Sequence, residues 1–244
     1  MQNLKRYIKN IIKAKETPLL KVYSHPRSGT HFLEAFLANN FYSTQDLALN
    51  QITWGHWSNR LVKPDGNPYG KLFGNHYFAD KNKNNLPKIY IVRDGRAVAY
   101  SIWKTPNFLH KDMSNLSFKT FLKTPIDWCG SPSAKTEANL TILEHWAKHV
   151  QGWSEFVKDN NNNGLIVKYE DLVTEPYEQY LRIHNMFFTN QNKIKFENLN
   201  VISKPVGLLP NNAKIDTWKA VFDDEDLLYF DTIVNSLSLS FKYI

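Results

Sequence analysis

The chain has 244 residues, 42% of them hydrophobic, enough to bury a sizeable core. Its 30 Lys and Arg outnumber 23 Asp and Glu, and the resulting net charge of +7 favours polyanions or phosphorylated ligands without choosing between them. Cys129 is the sole cysteine, which excludes an intrachain disulfide and a cysteine-based zinc cluster, and no run reaches the roughly 18 apolar residues of a membrane span. The N-terminus lacks the apolar core of a signal peptide, so the expectation is a soluble, cytoplasmic protein with one domain over residues 1–244.

Residues 1–17 carry Leu4, Ile8, Ile11 and Ile12 at helical spacing among Lys5, Arg6, Lys9 and Lys13. This pattern predicts a helix that packs on the domain or lies along a membrane surface. LLKVYS (19–24) reads as a buried strand, and the apolar segment after it as a helix. Residues 43–70 have poor periodicity; within them TWGHWSNR (53–60) sets Trp54 and Trp57 beside His56 and Arg60. Such a stretch suits sugars or flat rings, or forms a small hydrophobic cluster of its own. KLFGNH (71–76) is a weaker strand and KIYIVR (88–93) a strong one, rich in Ile, Val and Tyr.

A second irregular segment runs over 104–136, and a helix over about 137–157 with Leu140, Leu143, Trp146, Val150, Trp153 and Val157 on one stripe. DNNNNG (159–164) reads as a turn, GLIVKY (164–169) as a strand, and TEP supplies an N-cap for a helix starting near Thr174. After a third irregular segment, 190–216, DDEDLLYFDTIV (223–234) reads as a helix with acidic residues in its first turn. Strands leading into helices predict an α/β fold with a central, mostly parallel sheet flanked by helices. The three long segments are expected to be lids or acceptor-binding loops.

KVYSHPRSGTHFL (21–33) poses the functional question. A Walker A loop needs G-x-x-x-x-G-K-[ST], and neither its first Gly nor its Gly-Lys pair is present. A nucleophile elbow needs Gly on both sides of Ser28, where Pro26 and Thr30 stand. What remains is a strand, then Pro26, Arg27, Ser28, Gly29 and Thr30, then a helix. Backbone N–H groups, one guanidinium and hydroxyls suit an oxyanion, although an ordinary turn with a surface Arg fits the same letters. RDGRAVAYS repeats the logic, with Arg93 at a strand end and Ser101 eight residues on. In an open α/β sheet ligands bind outside the carboxyl ends of the strands, so two anion sites there imply a ligand with two separated phosphates.

HPRSGTHF and RDGRAVAYS together resemble the signatures of sulfotransferases that use 3′-phosphoadenylyl sulfate (PAPS), whose motifs read like PKSGTTW and R-[DN]-P-[RK]-D-V-A-x-S. EHWAKHVQGW (144–153), VKYEDL (167–172) and KIDTWK (214–219) resemble, in the same chain order, that family's W-x-x-H-V-x-x-W helix, YED turn and GDWK element. The resemblance spans roughly residues 19–235 and implies the P-loop NTPase-like fold of the cytosolic-type sulfotransferases. It also implies transfer of a sulfuryl group from PAPS to a hydroxyl or amine of a small molecule or glycan, with release of adenosine 3′,5′-bisphosphate (PAP).

By the same resemblance Arg27, Ser28, Gly29, Thr30 and His31 surround the 5′-phosphosulfate. Arg93 and Ser101 hold the 3′-phosphate, Tyr169 contacts adenine, and no metal takes part. Phe32 stands where the family packs an aromatic ring on adenine, and equally suits a core position. His76 falls at the place of the family's general base, with His31 as a rival inside the cradle and His149 as a structural residue. Two departures stand out: Gly74 replaces a lysine two residues before the histidine, and Asn211, Asn212 and Ala213 replace R-K-G, leaving Lys214 as a substitute cation. A PAP-binding module without turnover is the alternative these departures motivate, and a basic nucleic-acid-binding protein the alternative motivated by charge alone.

Overall fold

The computed structural model describes residues 18–42, 72–81, 85–105, 109–128, 139–189, 196–198 and 214–237. The N-terminal segment, the Trp54–Trp57 stretch, Cys129 and Asn211–Ala213 lie outside them. Four strands, β1 (Lys21–Ser24), β2 (Phe73–Asn75), β3 (Lys88–Val92) and β4 (Gly164–Lys168), form one sheet in the order β2-β1-β3-β4, every pair parallel. The weak fourth strand expected at 71–76 is therefore present, at the edge beside β1.

Side chains alternate across the sheet, as period-2 geometry demands. Leu20, Val22, Ile89, Ile91 and Val167 enter one core, against α1 (Thr30–Phe41) and two later helices. Tyr23, Tyr90 and Val92 enter the other, against α2 (Gly95–Lys104) and the long helix. Both faces are covered, which explains why β1 and β3 are rich in apolar and aromatic residues without polar alternation at their centres.

The irregular segment expected over 104–136 contains more order than its sequence suggests. Two short helices, α3 (Lys111–Ser114) and α4 (Phe118–Lys123), lie within it, and Leu109 bridges Trp128. Ser117 caps α4 by accepting from the Thr120 N–H, while Phe118, Phe121 and Leu122 are buried. A single helical turn with three anchors is too short to register as periodicity.

The long helix α5 spans Ile142–Asp159, beginning later than the expected 137 because Thr141 and Glu144 form a reciprocal capping box. After β4 the chain goes straight into α6 (Tyr169–Thr174), so the expected YED turn is helical. Thr174 ends that helix rather than capping the next: its hydroxyl donates to the Glu170 carbonyl at 3.1 Å. Pro176 opens α7 (Pro176–Phe187), and Glu175 before it is forced out of helical geometry, at φ −131° and ψ 52°. A short 3-10 turn at Thr217–Ala220 precedes α8 (Asp224–Asn235), which starts from a second capping box between Asp223 and Asp226. No helix among the described residues is long and apolar enough to cross a membrane.

Candidate active site

Arg27 and Arg93 leave the carboxyl ends of two neighbouring strands. β1 is flanked by β2 on one side and β3 on the other, so the chain departs from β1 and β3 toward opposite edges and opens a crevice between their ends. The turn after β1 is tight and left-handed at two positions, Arg27 (φ 68°) and Gly29 (φ 92°). Gly29 is obligatory for a second reason: a Cβ there would lie 2.3 Å from the ring of Tyr169. Gly29→Ala is expected to cost about 2 kcal/mol or more of stability, because the strained φ and the clash act together. Urea unfolding of the variant measures this, and an unchanged midpoint would remove the close-approach argument.

The turn feeds α1, whose Phe32 and Leu33 N–H groups donate to the Gly29 carbonyl at 3.0 and 3.1 Å, so the positive end of the helix dipole lies at the turn. Arg27 Nε donates to Ser101 Oγ at 2.9 Å and its Nη2 reaches Thr105 Oγ1 at 3.5 Å, both on or just after α2. Arg93 Nη1 donates to the Arg27 carbonyl and Nη2 to the Lys214 carbonyl, each at 3.2 Å. One guanidinium thus ties the front turn to the C-terminal element, while the Lys214 side chain is exposed. Burial and then the charge of Arg93 lower the proton affinity of Arg27, so the two cations repel and an anion between them is favoured.

Two buried polar atoms of the cradle have no partner among the described residues: Ser28 Oγ, on a fully buried residue, and Nε of Arg93, which is 3% exposed. Unsatisfied groups of this kind cost stability unless a ligand or water meets them. Arg93 also lies over the Tyr169 ring at 4.7 Å, and Tyr169 meets Phe32 edge-on at 5.8 Å. Phe32 is buried in the α1 core, with its ring against Tyr169.

His76 follows β2 and reaches the same edge. Its Nδ1 lies 2.8 Å from the Ser24 carbonyl and 3.1 Å from Ser24 Oγ. A carbonyl only accepts, so Nδ1 carries the proton and the lone pair sits on Nε2. Ser24 Oγ in turn bonds Thr30 Oγ1 at 2.7 Å, coupling the imidazole to the cradle. Burial pushes the His76 pKa down to about 4, against the raising effect of the Ser24 carbonyl, so the ring is neutral at pH 7.

Over residues 20–193 the sequence matches the sulfotransferase domain family. The chain belongs to that family. Comparison with curated proteins gave no match. Among solved structures, a retinol dehydratase in complex with androsterone and inactive cofactor PAP is 15% identical, covering 96% of this chain and 87% of its own at a TM-score of 0.58. A retinol dehydratase bound to retinol and PAP is 14% identical, covering 97% and 88% at 0.58. The mouse sulfotransferase SULT7A1 complexed with PAP is 16% identical, covering 88% and 82% at 0.55. At these identities the likeness is one of fold.

This sulfotransferase carries, inside the quoted motifs, supporting histidines whose contacts the motifs do not disclose. His149, expected as purely structural, donates from Nε2 to the His76 carbonyl at 3.1 Å and accepts from the Tyr90 hydroxyl at 2.8 Å. His25 sits between: its Nδ1 donates to the Pro26 carbonyl and its Nε2 accepts from His145 Nδ1, both at 3.0 Å. His25, His145 and His149 are each fully buried, which lowers their proton affinity, and they flank the loop and His76. The motifs HPRSGTHF and EHWAKHVQGW contain all three histidines, but their contacts with one another, with Tyr90 and with the His76 carbonyl bridge 59 to 120 residues of chain.

Proposed function

We propose that the protein transfers a sulfuryl group from PAPS to a hydroxyl or amine of a small-molecule acceptor and releases PAP. The observation that carries this reading is the meeting of Arg27, Arg93, Ser101 and the α1 N-terminus around two unpartnered buried atoms, Ser28 Oγ and Arg93 Nε. Those residues fit an anion at each end: Arg27, Ser28, Gly29, Thr30 and His31 the 5′-phosphosulfate, Arg93 and Ser101 the 3′-phosphate. Tyr169, wedged between Arg93 and Phe32, is the candidate adenine neighbour, and the exposed Lys214 can approach the 3′ end because Arg93 fixes its carbonyl.

PAPS would supply an activated sulfur whose bridging oxygen leaves with the nucleotide. The chain's own part is to hold both anions, to exclude water beneath the Gly29–Tyr169 contact, and to take the acceptor's proton on Nε2 of His76. Androsterone and retinol, found in the related retinol dehydratase structures, are small hydrophobic alcohols, and this supports an acceptor of that general size. Calorimetric titration with PAP is the direct test. Arg93→Ala is expected to weaken PAP by about 30-fold or more, since it removes one charged group from a desolvated anion site. Transfer of labelled sulfate from PAPS to a panel of alcohols and amines then separates an enzyme from a binding module. Absence of PAP binding by the unaltered protein would overturn the reading.

A further inference from the structure

A short turn joins α5 to β4 and the helix runs antiparallel to the strand, so the first turns of α5 stand at the carboxyl edge of the sheet, beside Arg27 and Arg93. The Trp146 Nε1–H donates to the Arg93 carbonyl at 3.0 Å and fixes that level. Its neighbour His145 is fully buried. Against His145 stands Trp128, 5% exposed, with ring centres 5.3 Å apart. Backbone contacts hold Trp128 in place: Leu109 bridges it, and the His110 N–H donates to the Asp127 carbonyl at 3.2 Å. Phe78 packs on another side of the imidazole, its ring centre 5.1 Å away.

Each of these two rings has one polar atom left over. His25 Nδ1 faces the Pro26 carbonyl, which only accepts, so the lone pair of the neutral His25 ring is on Nε2 and takes its proton from His145 Nδ1. The lone pair of His145 is therefore on Nε2. Burial holds the His145 pKa down to about 4, so that lone pair is present at pH 7. His145 Nε2 and Trp128 Nε1 have no partner among the described residues. The first is an acceptor and the second only a donor, and leaving either unmet away from water is costly. An oxygen about 2.9 Å from each spans atoms up to about 5.8 Å apart, which suits rings whose centres are 5.3 Å apart. That oxygen must accept one hydrogen bond and donate another. A hydroxyl does both; an ether or ketone oxygen only accepts, and a methyl group does neither.

We propose that His145 and Trp128 form a subsite for a second hydroxyl of the acceptor, so that the substrate is a diol or polyol held by one oxygen and sulfated at another; this rests on the sulfotransfer reading above. The anchoring hydroxyl accepts from Trp128 Nε1–H and donates to His145 Nε2. Its direction is fixed in turn by the bonds from His145 to His25 and from His25 to the Pro26 carbonyl, next to Arg27. The base is close by: His149, one turn after His145 and about 6 Å further along α5, donates to the His76 carbonyl. Both hydroxyls therefore belong to one small molecule, and their spacing selects among alcohols where apolar area alone would not. No proton is transferred at the subsite; the rings and the anchoring hydroxyl keep their own hydrogens.

The probes are cyclohexanol, its vicinal and remote diols, and the monomethyl ethers of those diols, used in labelled-sulfate transfer from PAPS and in binding to the PAP-loaded protein. The best diol is expected to exceed cyclohexanol in kcat/KM by about 10-fold or more. Its monomethyl ether, which can accept from Trp128 but gives nothing to His145, is expected to lose most of that gain. Trp128→Phe and His145→Asn should each bring the ratio of diol to cyclohexanol close to unity; the asparagine amide still donates to His25 but has no group in the place of Nε2. Calorimetry with PAP shows whether each variant keeps its nucleotide site, and the comparison of probes on the unaltered chain stands even where a variant does not fold. The indole N–H resonance of Trp128, assigned by its loss in Trp128→Phe, reads the subsite without turnover: the favoured diol is expected to move it downfield and cyclohexanol to leave it in place. If diol and alcohol react alike and no probe moves that resonance, the two atoms are met by water alone and the proposal is wrong while the nucleotide site stands. If the unaltered protein binds no PAP, the underlying reading fails instead.

Discussion

His76→Ala is expected to lower kcat by about 10²–10⁴-fold, the usual range for a missing general base, with PAP affinity within a few-fold of the unaltered protein. The split follows from geometry: His76 meets the cradle through Ser24, whereas the proposed anion grips are built by Arg27, Arg93 and Ser101. Alanine also removes the donor to the Ser24 carbonyl, so His76→Asn is the better-controlled variant. Its amide can replace Nδ1–H toward Ser24 but offers no basic nitrogen, and it should be as inactive as alanine with a smaller loss of stability. If either variant turned over normally, His76 would not be the base. In the unaltered enzyme the acid limb of the rate profile should reflect the base's lowered pKa of about 4, modified by bound nucleotide. Between pH 6 and pH 7, where an ordinary histidine would be losing its proton, this group already holds its lone pair.

The second large effect is on stability. His25, His76, His145 and His149 are all held below the usual histidine value, in each case first by burial, and His76 and His145 sit at about 4. Unfolded, each would titrate near 6.5. Between those values the unfolded chain binds protons that the native chain refuses, so the stability these rings contribute is complete above about pH 6.5 and is lost as pH falls toward 4. Each full shift of this size is worth on the order of 3 kcal/mol, and total stability of a domain is only about 5–15 kcal/mol. Glu34 and Glu170, raised by burial, act in the opposite sense and offset part of the loss. Urea midpoints followed by tryptophan fluorescence should therefore drop steeply from pH 7 to pH 5. Equal midpoints across that interval would show that the histidine cluster is not closed to water.

Much of the fold was legible in the sequence because its strands are buried on both faces. KIYIV and GLIVK are short segments rich in Ile, Leu, Val and Tyr, and the order of strands and helices followed from them. Boundaries failed where a single side chain decides them: Thr141 delays α5 by its capping box, and Pro176 sets the start of α7 two residues after the Thr174 expected to cap it. The turn after β1 was legible too, since Arg27, Ser28 and Gly29 are local, but the sequence placed Arg27 and Ser101 in separate sites and did not show the bond between them. Glu34 was not legible. An acidic residue inside THFLEAFL looks like an ordinary polar position, and only the packing of α1 shows that it is buried beside His31. The role of His149 was equally hidden, because its partners, Tyr90 and the His76 carbonyl, are distant in sequence and meet only when α5 covers the sheet.

Arg27 and Arg93 stand past the ends of two hydrogen-bonded strands whose register is continuous from Lys21 with Lys88 to Ser24 with Ile91. The offset between the two anion grips is thus a lattice dimension of the sheet, one interstrand step of about 4.8 Å plus the reach of two turns. Side-chain rotamers and acceptor loops can vary without altering it. In the proposed reading, a nucleotide with its second phosphate attached elsewhere on the ribose would be measured against a fixed gauge. Discrimination among donors would then be inherited with the backbone pairing of β1 and β3, and acceptor choice would be free to diverge on other parts of the chain.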